Sequence, residues 1–164
     1  MNIFACETDP LRAARALPDK LVVKMPLESA QILCTALWNA GQTAPYLPTH
    51  VKHPTVLWVW RTLSNWNWLV EHGLGLSEEY TRRYGKVHSS RDVILRVAAR
   101  GPKEGMLEPF AMAMPDEYKC ADPVQAYRAF MIAEKTRYAS WKQPGQRPEW
   151  WVMDENVSDA KLVG

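Results

Sequence analysis

The sequence predicts an all-α protein, a compact single-domain helical bundle with long loops, and three observations carry that expectation. Lys20, Lys24, Glu28, Gln31, Thr35 and Asn39 form a polar row through an otherwise apolar segment. Their steps of three and four residues make neighbours on one face of an α-helix. The pairs Asp9-Pro10 and Asp122-Pro123 have the form of an N-cap followed by a proline at the first helical position, where a missing N–H costs nothing. No stretch sustains the alternation of apolar and polar residues expected of a half-buried strand.

In chain order, Leu11 to Leu17 reads as a short helix ended near Pro18. Asp19 can cap the next helix, which carries the polar row and ends at Gly41. Pro26 either kinks this helix or starts a new one, because the residue before proline avoids the α region. Leu21, Val22, Leu27, Ile32, Leu33, Cys34, Leu37 and Trp38 cover most of its circumference, so the helix is expected to be largely buried. Gln42 to Lys52, with Pro45 and Pro48, reads as a loop. A long helix is expected from about Pro54 to His72, with Val56, Val59, Trp60, Leu63, Trp66 and Val70 inward and Arg61, Asn65, Trp68 and His72 on the other face. Gly73 and Gly75 should break it before a shorter helix, Ser77 to Tyr84, stopped by Gly85. Ser90 to Arg100 can form another helix, Gly101 to Pro115 a loop, and Asp122-Pro123 begins a last helix running to about Trp141.

At 164 residues the chain suits one domain, 1–164, with an irregular tail from about 143 anchored at first by Trp150 and Trp151. The composition, 47% hydrophobic and 23% charged with 8 tryptophans, is that of a globular protein and excludes a disordered chain. No apolar run approaches the roughly 20 residues that cross a bilayer, and the first residues lack a basic stretch followed by an apolar one, so no membrane partner and a cytoplasmic location are expected. Cys6, Cys34 and Cys120 are odd in number and far apart, which argues for reduced thiols and against a zinc ribbon. His50 and His53 lie three apart without a third ligand nearby, so no metal and no cofactor are expected.

Glu28 is the first candidate for chemistry, because a carboxylate on a buried helix is costly unless it is paired or used. An ion pair with Lys24 one turn away is the plain alternative. Lys20 and Lys24 suit phosphate or carboxylate partners, and as amines they could also attack an electrophilic carbon. Gln31 and Thr35 can either satisfy buried hydrogen bonds or read a base, and both options stay open. Arg61, Asn65, Trp68 and His72 could line a groove or simply form a polar outer face. Tyr118, in the charged stretch Asp116 to Lys119, belongs to a turn or contributes to a pocket.

From Arg82 to Lys103 there are seven basic residues against one acid, Asp92, while the whole chain carries only +2. Arg82, Arg83, Lys86, His88 and Arg91 thus read as a DNA-backbone surface, or as a solvated basic face. Arg147 beside Trp150 and Trp151 would suit a groove contact, the indoles serving as packing anchors or stacking platforms.

The segment Asp19-Lys20-Leu21-Val22-Val23-Lys24-Met25-Pro26-Leu27-Glu28 resembles the catalytic helix of the small bacteriophage pyrimidine-dimer DNA glycosylases of the endonuclease V type. His53-Pro54-Thr55-Val56-Leu57-Trp58 and Gln146-Arg147-Pro148-Glu149-Trp150-Trp151 are similar to further blocks of that family, in the same order. Met1-Asn2-Ile3-Phe4, Arg83-Tyr84-Gly85-Lys86 and Ala113 to Lys119 also look like phage proteins of unassigned function. The family resemblance implies a monomeric enzyme that binds duplex DNA, extrudes a nucleotide and attacks the sugar C1′ with its N-terminal amine while a glutamate assists. By position Glu28 is that glutamate, the amine falls at Met1, and Asn2 beside it is a candidate substrate contact. The chain departs from the pattern at Asn2, which is too large for efficient methionine removal, at Leu21, where the family has histidine, and at Leu27 and Gln31, where it has arginines. Three functions follow: an N-glycosylase, a transferase that modifies a thymine-like base in phage DNA, and a non-catalytic DNA-binding or protein-interaction module.

Overall fold

The computed structural model describes residues 1–143 and 146–152, and the described residues are helical without strands. Six α-helices follow in order: α1 Pro10–Ala16, α2 Asp19–Asn39, α3 Pro54–Val59, α4 Leu63–Tyr84, α5 Ser90–Val97 and α6 Pro123–Lys135. Short 3-10 turns follow α5 at Ala98–Arg100, precede α6 at Asp116–Tyr118 and extend α6 at Thr136–Tyr138.

The two long helices form the centre: α2 packs on α4, α5 and α3, and α1 lies on α4. Leu21, Val22, Met25, Ile32, Leu33, Cys34 and Leu37 of α2 are buried, as its nearly unbroken apolar surface requires. Pro26 lies inside α2, and the helix runs through it without a break. The hydrogen bond lost there is offset by the burial of Val22, Met25 and Ala30 around it. Asp19 does not cap α2: Pro18 holds the cap position, and the Asp19 carboxylate turns inward to Arg83 and to the Ser140 hydroxyl.

The expected Pro54-to-His72 helix is two helices. Thr62 is extended, and its Oγ1 accepts from Asn65 N at 3.0 Å to start α4 afresh. The side chain of Asn65 then ties α4 back to α3, donating to Trp58 O at 2.8 Å, and holds the loop after α5 by accepting from Glu108 N at 2.9 Å. Gly73 and Gly75 do not break α4, which continues to Tyr84 and closes on Gly85 at φ 68°, a left-handed cap. They are contact points. A Cβ on Gly73 would meet Ile94 Cδ1 at 2.8 Å and Ser29 Cβ at 3.0 Å, and one on Gly75 would meet Ala14 Cβ at 3.2 Å. The helices can approach this closely only over glycine.

The last helix stops at Lys135 rather than near Trp141. Thr136 Oγ1 bonds back to Ile132 O at 2.6 Å, and the chain turns so that Ser140 O accepts from Asp19 N at 2.8 Å. Trp151 is buried and donates to Thr136 Oγ1 at 3.2 Å, so the expected anchor holds; residues 144–145 and 153–164 of the expected irregular tail lie outside the described residues.

Candidate functional site

The first residues run buried between α2 and the chain before α6. Asn2 organises them: Oδ1 accepts from Ile3 N at 2.7 Å and Phe4 N at 3.0 Å, and Nδ2 donates to Ala113 O at 2.8 Å. This tight turn places Phe4 at φ 42°. The backbone N–H of Asn2 donates to Glu28 Oε2 at 2.9 Å, and Lys24 Nζ lies 2.9 Å from Glu28 Oε1. Glu28 is 7% exposed, so both oxygens of a buried carboxylate are engaged, one by a buried amide and one by an exposed ammonium.

Above this carboxylate opens a cleft of about 360 Å³. Met1, Asn2 and Phe4 form one wall; Lys20, Leu21, Lys24 and Glu28 form the floor along α2; Phe130, Lys135 and Tyr138 close the far side. The helical spacing of Lys20, Lys24 and Glu28 aims three charged groups into one space, as the polar row predicts. The same row has a second use further along: Thr35 Oγ1 accepts from Thr49 N at 3.2 Å and Asn39 Nδ2 donates to Val51 O at 2.8 Å, pinning the loop before α3. Gln31 lies between the two halves, partly exposed.

His53 was not singled out as a site residue by the sequence. Its Nδ1 accepts from Thr55 N at 3.3 Å and pairs with Thr55 Oγ1 at 2.7 Å, capping α3. Partial burial, the Met1 α-amine and His50 push its pKa down against an opposing pull from Glu28. The imidazole thus lies within electrostatic range of the amine and the carboxylate. No local spacing signals it, because it comes from another helix.

Several candidates stand elsewhere. Asn65 and Trp68 are buried and structural, not substrate contacts: Trp68 Nε1 donates to Thr8 O at 2.7 Å, and its ring packs between His72 and Phe110. Their face of α4 is covered because α1 and the first residues pack over it. Tyr118 reaches the cleft only through Phe130, 5.3 Å away between ring centroids, and its hydroxyl donates to Glu134 at 2.7 Å. That bond, more than anything else, raises the Tyr118 pKa.

Among the described residues, four of the seven cations in the basic segment are engaged within the protein, while Lys86, Arg96 and Lys103 are not. Arg83 is buried and binds Asp19 Oδ1 at 3.1 Å, Glu79 Oε2 at 3.1 Å, Leu17 O at 2.9 Å and Arg15 O at 3.0 Å, so it cannot meet a phosphate. Arg82 pairs with Glu79 and Gln143, Arg91 lies 4.0 Å from Asp92, and Arg100 bonds to Thr43 O. His88 Nε2 donates to Val23 O at 3.1 Å while its Nδ1 accepts from Ser90 N; Lys86 is exposed. Trp150 donates to Glu7 Oε1 at 2.9 Å beneath the Arg128 guanidinium and is a packing anchor in this arrangement, with Arg147 exposed beside it.

Cys6, Cys34 and Cys120 are free thiols, and burial pushes Cys6 up to about 12. Among the described residues no group of His, Cys, Asp and Glu has a metal-holding arrangement, and no helix is long and apolar enough to cross a membrane. No curated protein and no solved structure matches the chain. Residues 1–92, which contain Asn2, the whole of α2 and His53, match the model of the family described as pyrimidine dimer DNA glycosylase. That match covers more than half of the chain, which therefore belongs to the pyrimidine dimer DNA glycosylase family.

Proposed function

We propose that the protein is a DNA N-glycosylase that acts on a pyrimidine nucleotide extruded from duplex DNA, with Glu28 as its catalytic carboxylate. The observation that carries this reading is the buried Glu28 at the floor of a cleft that also holds the first two residues and three lysines. When the bond from C1′ to the base breaks, its electron pair leaves with the base and positive charge develops on the sugar. A fixed carboxylate beside C1′ stabilises that charge without reorganising. An amine that then forms a C–N bond to C1′ gives up a proton and opens the ring as a Schiff base, the ring oxygen taking a proton. The amine of Met1 is favoured for this step because Lys24 Nζ is engaged by Glu28 and Lys20 Nζ stands 5.1 Å from the Tyr138 ring centroid. Gln31 and Asn2 would contact the extruded base. The reading takes 1–164 as one domain, acting as a monomer in the host cytoplasm.

The test is mass spectrometry of bases and nucleosides after incubation with ultraviolet-irradiated duplex, undamaged duplex and hydroxymethyluracil-containing DNA, together with borohydride trapping. The wild type should release base from one substrate and become covalently trapped on it. Glu28→Gln, which keeps an acceptor for Asn2 N, should lose at least about 100-fold in base release, the scale of a catalytic acid–base group. Unchanged release by the variant, or intact DNA in every wild-type reaction, would refute the proposal.

A further inference from the structure

Lys20 and Lys135 line the cleft; Arg137 stands by its Tyr138 wall, and Lys142 by Tyr84 at the end of α4. Lys20 Nζ lies 5.1 Å from the Tyr138 centroid, with Arg137 5.9 Å from the same ring. Lys135 Nζ is 5.1 Å from the Phe130 centroid, and Lys142 Nζ is 4.3 Å from that of Tyr84. These groups come from the start of α2, the end of α6 and the stretch beyond it. They share one face because Ser140 O accepts from Asp19 N at 2.8 Å and Tyr84 Oη donates to Asp19 O at 3.4 Å. Among the described residues none of the four has a carboxylate within ion-pair distance, and neither do Lys86, Arg96, Arg100 and Lys103, whereas Arg82, Arg83 and Arg91 each do. The nearest acid in this join, Asp19, is buried and turned to Arg83.

Positive charge without internal partners, leading to the mouth of a cleft, fits a polyanion. Each aromatic ring supports a cation on its face, so the rings hold charges in place and are not left open to stack bases. We propose that Lys20, Lys135, Arg137 and Lys142, at and next to the cleft, form the track that holds the DNA phosphate backbone beside it, in place of the paired Arg82, Arg83 and Arg91. The proposal rests on DNA being the substrate but not on the glycosylase chemistry.

The test is the salt dependence of binding to a short undamaged duplex, measured by fluorescence anisotropy. Each phosphate neutralised contributes about 0.9 to the slope of log affinity against log salt. Arg137→Gln with Lys142→Gln should lower the slope by about 1.8 on that scale. The charge-preserving pair Arg137→Lys with Lys142→Arg should keep the slope, which separates charge from folding. Arg82→Gln with Arg91→Gln should leave it unchanged. A normal slope in the Arg137 and Lys142 Gln pair, a reduced slope in the charge-preserving pair, or a loss confined to Arg82 and Arg91 would overturn the track. Base release at saturating DNA is read separately: a wild type that releases no base but shows the predicted slopes would refute the glycosylase reading and leave the track standing.

Discussion

Replacing Arg83 by methionine separates a buried clamp from a DNA contact. The Arg83 side chain is wholly buried and satisfies four acceptors: two carboxylates, on Asp19 and Glu79, and two carbonyls, on Leu17 and Arg15. Removing one partner of such a buried ionic group typically costs about 3–5 kcal/mol, because the remaining charges stay out of water without compensation. Glu79 keeps Arg82, and Asp19 keeps the Ser140 hydroxyl, which moves the expected cost toward the lower end, about 3 kcal/mol. For a chain of this size each kcal/mol shifts Tm by about 2–4 °C, so thermal unfolding should fall by roughly 6–12 °C. Arg83→Lys should recover only part of this, since an ammonium cannot span four acceptors arranged around a planar guanidinium. The salt slope for DNA binding should not change in either variant, measured below the lowered Tm. An unchanged Tm together with a slope smaller by about 0.9 would refute the reasoning and return Arg83 to the DNA surface.

Burial drives His72 from its ordinary 6.5 down to about 4, with the carbonyls of Pro10 and Ile3 pulling the other way. Its folded pKa is the lower one, so the unfolded chain takes up the proton first: the neutral ring's contribution is intact above pH 6.5 and is lost as pH falls toward 4, by about 3 kcal/mol in all. Urea unfolding across that window should show the loss in the wild type and a flatter profile in His72→Gln; parallel profiles would sink the assignment. Gly73→Ala should destabilise the protein, although the same change in an exposed helix stabilises by about 1 kcal/mol. The new methyl would sit 3.0 Å from Ser29 Cβ, and overpacking of about 1–3 kcal/mol outweighs the propensity gain. A raised urea midpoint would show that α2 and α4 can part there at little cost.

Helical periodicity was readable wherever one residue's neighbours lie on its own helix. The polar row of α2 is the clearest case: Lys20, Lys24 and Glu28 meet in one cleft because steps of four put them there. The same arithmetic failed on α4 because the spacing of Asn65, Trp68 and His72 reports a face, not what covers it. The chain covers it twice over, with the first residues, through Thr8 O on Trp68, and with α1, through Pro10 O on His72. Glycine misled for a related reason. A lone helix with Gly73 and Gly75 is weakened by their freedom, whereas a packed one gains by the close approach they permit.

Charge was least readable. A run of arginines reads as a surface for anions only if each is free, and Asp19, the acid that buries Arg83, lies on a different helix. The converse holds for Lys20, Lys135, Arg137 and Lys142, which are scattered in sequence and form no run, yet share one face because Asp19 N is tied to Ser140 O. Asp19 thus has two opposed effects on charge: its carboxylate removes an arginine from the surface, and its backbone gathers the cations that remain there. A change at Asp19 that spares the backbone bond would leave Arg83 on Glu79 and two carbonyls without scattering the track, so stability should fall while the salt slope for DNA holds.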